Sequence, residues 1–540
     1  MNVANANRRA AMNLAESIRD AKYLMTSGRD IPWLLRQWVA RQPQKPFLAW
    51  EPFQGPSRTW SYAEFRTDVI ALAGNLHARG VREGDRVLIH LDNSPEFALA
   101  WFACAELGAI AVSTNTRSVG RDMLYFAEHA EVICAITSPA FAELVSQSAP
   151  MIQFLVLADN DAGTKAEVPA GIEHLSFDEM LVPGVECPER ASNAMADLGI
   201  QFTSGTTSRP KAVLWTHANA IWGAQTNASH MRLRNDDITL AFLPLFHTNA
   251  QSYSMLTTLW VGGTMVLQPK FSASRFWDVS LKHRCTWASM IPFCVKALMV
   301  GEIPAQHSYR FWGPAVHLPN VDRALGLRTM GWWGMTETIT QGIVTDYDHP
   351  GSLMSIGRAS PGYEISIRRD DGSAAAPGER GRLFIRGERG VSLFKEYFKN
   401  PEATAASFDA DGWFDTGDLI RIDKDGDLFF SDRDKDMLKV GAENVAASEI
   451  EVVIMESGWV SECAVVGQKH FMLDEVPVVF VIPNKAAPEN LKERLIELCR
   501  QNLADFKVVR DVIAVEDMPR STLEKIAKNE LRNRLPTIDS

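Results

Sequence analysis

From about Ile31 to Asp197 the chain alternates short apolar runs with segments of helical pattern, and this alternation most constrains the fold. RVLIHL (Arg86 to Leu91), ICAIT (Ile133 to Thr137) and FLVLA (Phe154 to Ala158) are of strand length and lie among turn formers. Between the first two, SPEFALAWFACAELG reads as a helix: Ser94 caps it, Pro95 suits its first turn and Gly108 ends it. Strands that alternate with helices need crossover connections, which predicts an α/β fold with mostly parallel sheets.

At 540 residues the chain exceeds the roughly 250–300 at which a single core stops growing, so at least two lobes are expected. From Pro361 to Asp432 the texture changes to short β segments (EISIRR, GRLFIRG, DLFFSD) separated by tight-turn sequences, a β-rich subdomain. After Lys435 come a helix from about Ala447, strands near ECAVVG and VPVVFVI, a helix through LKERLIELCRQNL and a last strand before Met518. The expected division is an N-terminal extension (1–30), a large lobe (31–433, its β-rich part about 357–433) and a mobile α+β domain (434–540).

A formal net charge of −11 argues against a general nucleic-acid binder, whose phosphate contacts need a basic surface. Seven scattered cysteines without a C-x-x-C pair fit neither a zinc site nor a disulfide framework, and Cys104 sits in an apolar run as a buried small hydrophobe would. The N-terminus lacks the pattern of a secretory signal. The apolar stretch Phe97 to Val112 is too short to span a bilayer. No integral membrane segment and a cytoplasmic protein, monomer or homodimer, are expected.

The segment Gln201 to Asn219, QFTSGTTSRPKAVLWTHAN, joins an apolar strand to a loop dense in hydroxyls, with Gly205 at the bend and Lys211 beyond Pro210. Hydroxyls, free amide N–H groups and one cation are what a triphosphate tail requires. The pattern G-x-x-x-x-G-K-[ST] is absent, which disfavours a P-loop ATPase. The segment resembles the phosphate loop T-S-G-T-T-G-x-P-K-G of the adenylate-forming superfamily of acyl-CoA synthetases, peptide-synthetase adenylation domains and luciferases. Thr203, Ser204, Gly205, Thr206, Thr207, Pro210 and Lys211 match, while Ser208 and Ala212 stand where glycine is usual.

Three further segments carry the same resemblance. GWWGMTET (Gly331 to Thr338) resembles Y-G-x-T-E, which implies that Trp333, with Gly334 and Met335, packs on adenine, Thr336 contacts the α-phosphate and Glu337 ligates Mg²⁺. DGWFDTGD implies that Asp418 holds the ribose hydroxyls; Arg433 matches an arginine of the ribose and phosphate region, Lys435 a hinge and Gly441 the loop lining the pantetheine tunnel. MPRSTLEKIAKNELR resembles P-R-T-x-x-G-K-I-x-[KR], whose lysine would be Lys525, with Glu524 in place of glycine; a register shifted by three would select Lys528. A mobile ammonium suits charge that builds on phosphate and carboxylate oxygens only in the transition state.

On the substrate side, LPLFHTNA resembles the family motif that borders the acyl pocket, which implies that His247 is a wall or gate, and WGPAVHLP lies where the family has its adenine loop, which implies a lining of Gly313, Pro314 and Ala315. Trp332, His317 and Met335 are expected to shape a roomy, partly aromatic cavity. The resemblance is strongest to the carnitine/crotonobetaine-CoA ligase branch, and implies an ATP-dependent acyl-CoA synthetase using ATP, Mg²⁺, coenzyme A and a small-molecule carboxylic acid. Two other readings stay open: an adenylating ligase with an amine or carrier-protein acceptor, and a non-catalytic nucleotide-binding regulator.

Overall fold

The computed structural model describes residues 26, 28–158, 171–203, 210–433, 437–440, 443–470, 474–503, 505–520 and 526–536. It falls into two compact units, residues 1–364 with 386–413, and residues 365–385 with 414–540.

The larger unit is α/β and contains two sheets. Arg86–His90 is flanked in parallel by Ile110–Ser113 and Val132–Thr137 within an eight-stranded sheet that also holds Phe154–Leu157. The expected helix runs Pro95–Leu107: the Ser94 side chain accepts from the Phe97 amide, and Gly108 ends the helix in the left-handed region at φ 80°. Such a cap is worth ~1 kcal/mol. A nine-stranded sheet carries Phe311–Ala315 and Arg328–Trp333 side by side and parallel. One apolar cluster runs from Phe47 and Leu48 of that sheet through helices Tyr62–Ala78 and Pro95–Leu107 to Val87 and Ile89 of the other. The helices therefore pack their buried faces between sheets.

The smaller unit holds a four-stranded antiparallel sheet of Glu364–Arg368, Arg380–Arg386, Phe414–Ile422 and Leu428–Arg433. Its C-terminal part pairs Val460–His470 with Asp474–Pro483 and lays Asp511–Ala514 parallel to the latter. Helices Ala447–Glu456 and Leu491–Asn502 complete it. The strands expected from EISIRR, GRLFIRG and DLFFSD are present, but the compact units divide along a different line from the expected 433/434 boundary. Helix Ala447–Glu456 lies against strand Leu428–Arg433, so the β-rich segment groups with the C-terminal elements. Among the described residues no helix is long and apolar enough to cross a membrane.

Candidate active site

In the larger unit, strand Asp197–Thr203 runs parallel to Ile110–Ser113 and turns back as the antiparallel strand Lys211–Thr216. The hydroxyl-rich loop thus leaves the carboxyl end of a parallel sheet, where α/β folds bind ligands. Its ends are clasped: Thr203 pairs with Lys211 in the ladder. Ser204, Gly205, Thr206 and Thr207 lie outside the described residues. The Lys211 ammonium sits 4.5 Å from the ring centroid of Tyr397, whose hydroxyl donates to Glu337 Oε1 at 2.9 Å. One tyrosine thereby joins the loop lysine to the carboxylate of the second motif.

Glu337 is buried, at 3% exposure, in a single turn of 3-10 helix, Thr336–Thr338. Each carbonyl of that turn is gripped by a different element. The Trp215 indole N–H donates to Thr336 at 2.9 Å, the Phe394 amide to Glu337 at 2.8 Å and the Tyr363 hydroxyl to Thr338. Ile339 follows at φ 61°, a conformation β-branched residues avoid, so these anchors hold a strained turn of the kind that collects at functional sites. Burial, and then the Glu337 charge, push the Tyr397 hydroxyl well above the usual tyrosine range, so it stays a donor. A buried carboxylate, oriented by a phenol, suits Mg²⁺, a hard cation that takes one or two protein carboxylates and shares the rest of its shell with phosphate and water.

Thr336 is positioned from behind. The Thr248 hydroxyl lies 3.2 Å from the Thr336 hydroxyl and donates to Gln201 Oε1 at 2.7 Å, and Gln201 Nε2 donates to Gln251 Oε1 at 2.7 Å. Gln251 lies in an eight-residue π-helix, Asn249–Leu256, a form that is rare and favours functional sites. His247, half-buried, meets Phe246 edge-on just before this helix, and its carbonyl accepts from the Gln251 amide.

Gly313, Pro314 and Trp333 are buried, and Ala315, Gly334 and Met335 half-buried, at or just beyond the carboxyl ends of their strands. Ala315 has φ 71°, another strained position. Two expectations about the acyl cavity are corrected. His317 hydrogen-bonds the Thr329 carbonyl at 3.0 Å and braces a turn. Trp332 fills space instead of enclosing a roomy chamber, because its ring lies where a Gly313 side chain would be.

In the smaller unit Asp418 is buried, and it is the direct cross-strand partner of Arg433, so the two ribose candidates share one position of a ladder. Lys435, Gly441, Glu524 and Lys525 lie outside the described residues; Arg520 and Ile526, flanking Lys525, form an antiparallel bridge. Lys528, the alternative, is half-buried in an ion pair with Glu451 at 2.9 Å. Tyr397, Trp215, Tyr363, Thr248 and Gln251 escaped the sequence reading. Trp215 and Thr248 lie inside the segments QFTSGTTSRPKAVLWTHAN and LPLFHTNA, which marked their neighbourhood but not their roles.

Residues 35–398 match the model of the AMP-binding enzyme family, and residues 449–525 match the AMP-binding enzyme C-terminal domain. The chain belongs to the AMP-binding enzyme family. Another similar protein is the crotonobetaine/carnitine–CoA ligase of Salmonella enteritidis, 34% identical over 504 residues that cover 90% of this chain and 96% of that one. Among solved structures, the O-succinylbenzoate coenzyme A synthetase of Bacillus subtilis in complex with ATP and magnesium ion is 26% identical, covers 92% of this chain and 99% of its own, and superposes with TM-score 0.79. ATP-bound MatB from Rhodopseudomonas palustris is 26% identical, with coverages of 93% and 98% and TM-score 0.80. The AMP-binding fold thus extends over nearly the whole chain.

Proposed function

We propose that the Lys211–Tyr397–Glu337 constellation is the phosphate and metal end of an ATP-dependent acyl-CoA synthetase. The reaction joins a carboxylic acid to ATP as an acyl-adenylate with loss of pyrophosphate, then passes the acyl group to the thiol of coenzyme A with release of AMP. The carrying observation is that one buried tyrosine touches both a loop cation and a carboxylate, opposite charges that suit a triphosphate and its counter-ion.

Thr203 to Thr207 and Lys211 hold the phosphate tail, and Thr336 contacts the phosphorus under attack. Glu337 is the protein ligand for Mg²⁺, which when bound neutralises charge on the phosphates. Trp333, bordered by Gly313, Pro314 and Ala315 and by Gly334 and Met335, takes the adenine face, and His247 borders the acid. Asp418 and Arg433 are assigned to ribose and Lys525 to the charge that develops during attack. Lys435 serves as hinge and Gly441 as part of the pantetheine path. The Glu451 ion pair gives Lys528 a structural task and supports Lys525 as the catalytic lysine. Six of the seven cysteines are buried and none is in a disulfide among the described residues, which suits the cytoplasm.

A pyrophosphate-release screen across carboxylic acids, with and without coenzyme A, tests this reading. Release that requires an acid, with coenzyme A consumed in step with AMP, is expected. Release that is indifferent to coenzyme A would point to an amine or carrier-protein acceptor. ATP binding without acid-dependent release would leave a regulator. Lys525→Ala abolishes adenylation while Lys528→Ala retains it; the reverse outcome shifts the register by three residues.

A further inference from the structure

Tyr397 stands between the charged groups of two motifs. It lies on the short strand Glu396–Tyr397, which pairs antiparallel with Lys211–Thr216 and sets Tyr397 opposite Val213. Directly opposed residues share a face of a ladder, and so do residues two apart along a strand. Lys211, Trp215 and Tyr397 therefore face the same way. That face meets the Thr336–Thr338 turn, because the Trp215 indole donates to the Thr336 carbonyl and the Tyr397 hydroxyl to Glu337 Oε1.

The ring between the charges is fixed from several sides. Lys395 and Phe398 donate their amides to the Leu214 and Ala212 carbonyls at 3.0 and 2.8 Å, and the Tyr397 amide donates to Thr404 Oγ1 at 3.0 Å. The ring packs against Phe394 with centroids 4.7 Å apart, and the Phe394 amide in turn holds the Glu337 carbonyl. Over the ring is the ammonium of Lys211, a residue only half-buried and so within reach of solvent; at the hydroxyl end is the Glu337 carboxylate. Opposite charges this near attract strongly away from bulk water. Lys211 nevertheless makes no ion pair among the described residues. It rests on the π face of Tyr397, a contact that holds an ammonium without cancelling its charge.

We infer that Tyr397 is a positioning residue that acts as a spacer: it keeps the loop cation and the turn carboxylate from pairing, so that each retains its charge for an anionic ligand and its counter-ion. The inference rests on the adenylating reading above, which assigns Lys211 to phosphate and Glu337 to Mg²⁺. An ion pair shielded from water is hard to reopen, since each partner is left uncompensated. A collapsed Lys211–Glu337 pair would thus withdraw both groups from the nucleotide at once. The two ends of the tyrosine have separate tasks: the hydroxyl orients the carboxylate, and the ring bars the lysine from it.

The test is equilibrium dialysis of ATP against the full chain with EDTA present, which reads the lysine without the metal and without turnover. Tyr397→Phe keeps the spacer and is expected to hold ATP within about twofold of the unsubstituted chain. Tyr397→Leu opens the gap and is expected to weaken ATP about 10-fold. Glu337→Gln then decides. It is expected to improve ATP binding about 10-fold more in the Tyr397→Leu chain than it does beside Tyr397, because only in the former does the carboxylate hold the lysine. No weakening by Tyr397→Leu, or a weakening that Glu337→Gln does not repair, would overturn the inference, as would a Tyr397→Phe chain that loses as much as Tyr397→Leu. Should Tyr397→Leu fail to fold, Tyr397→Met, whose unbranched side chain fills irregular gaps, takes its place in the same cycle. ATP that binds the unsubstituted chain neither in EDTA nor with Mg²⁺ would instead sink the adenylating reading.

Discussion

Toward strand Asp197–Thr203, the π-helix Asn249–Leu256 sends Gln251, with Thr248 at its cap, and every link there is closed: Gln251 to Gln201, Gln201 to Thr248, Thr248 to Thr336. Toward helix His217–His230 the same π-helix sends Ser252, beside Gly223 and near Asn227, and there Ser252 Oγ and Asn227 Nδ2 meet no partner among the described residues. Gln201, Thr248 and Gln251 on one side and Ser252 and Asn227 on the other are all buried, so burial alone does not separate them. The closed side fixes the reacting groups before any substrate arrives, which is how a preorganised site avoids reorganisation during the chemistry. The other side leaves polar atoms unmet and sealed from solvent, which costs stability and orients nothing.

The contrast can be broken by substitution. Glu337→Gln removes the charge at the end of the closed side, and acid-dependent exchange is expected to fall roughly 10²–10³-fold with circular dichroism unchanged. Tyr397→Phe leaves the carboxylate but not its orienting donor; a loss of roughly 10–100-fold in activity, with a raised Mg²⁺ requirement, is expected from a magnesium titration. Gln251→Leu strands the Gln201 amide, and thermal or urea unfolding should show a loss of about 1–3 kcal/mol. Ser252→Ala, one residue further on, should change stability by no more than ~0.5 kcal/mol because no bond is lost. If the two neighbours cost the same, the two sides are not different.

Acid separates the sides in a further way. Burial holds His230 at about 4, whereas the unfolded chain takes up that proton near the ordinary value of ~6.5. Between these values the unfolded state binds more protons, so stability declines as pH falls from ~6.5 to about 4 and this contribution levels off below. His230→Asn should flatten that part of the stability profile. An unchanged slope would mean that the ring is not held neutral.

Features made by neighbours in sequence were legible. The helix Pro95–Leu107 could be read because its cap, its first-turn proline and its closing glycine all lie within the segment itself. The strands Arg86–His90, Val132–Thr137 and Phe154–Leu157 were legible from apolar run length. The π-helix was not, because NAQSYSML mixes polar and apolar residues without a helical stripe. Nor could Tyr397 be matched with Glu337, since the bond that joins them spans 60 residues and depends on how two loops meet. Trp332 was read as lining a roomy cavity because nothing local shows that its ring lies on Gly313. The β-rich strands were legible one by one, but not their grouping, which depends on a helix beginning at Ala447.

The π-helix also bears on how this interior can change over generations. Its wider turn accommodates one residue more than an α-helix would, so deletion of a single codon between Asn249 and Leu256 would restore ordinary winding and turn side chains within that stretch by about 100°, while the segments that flank it keep their register. Tyr253 would then leave Trp332, and Ser252 would leave Gly223, without any change of amino acid at either place. One small lesion in the gene would thus repack the interior beside Trp332 at a stroke, while Glu337 and Lys211, borne by other elements, stay where they are.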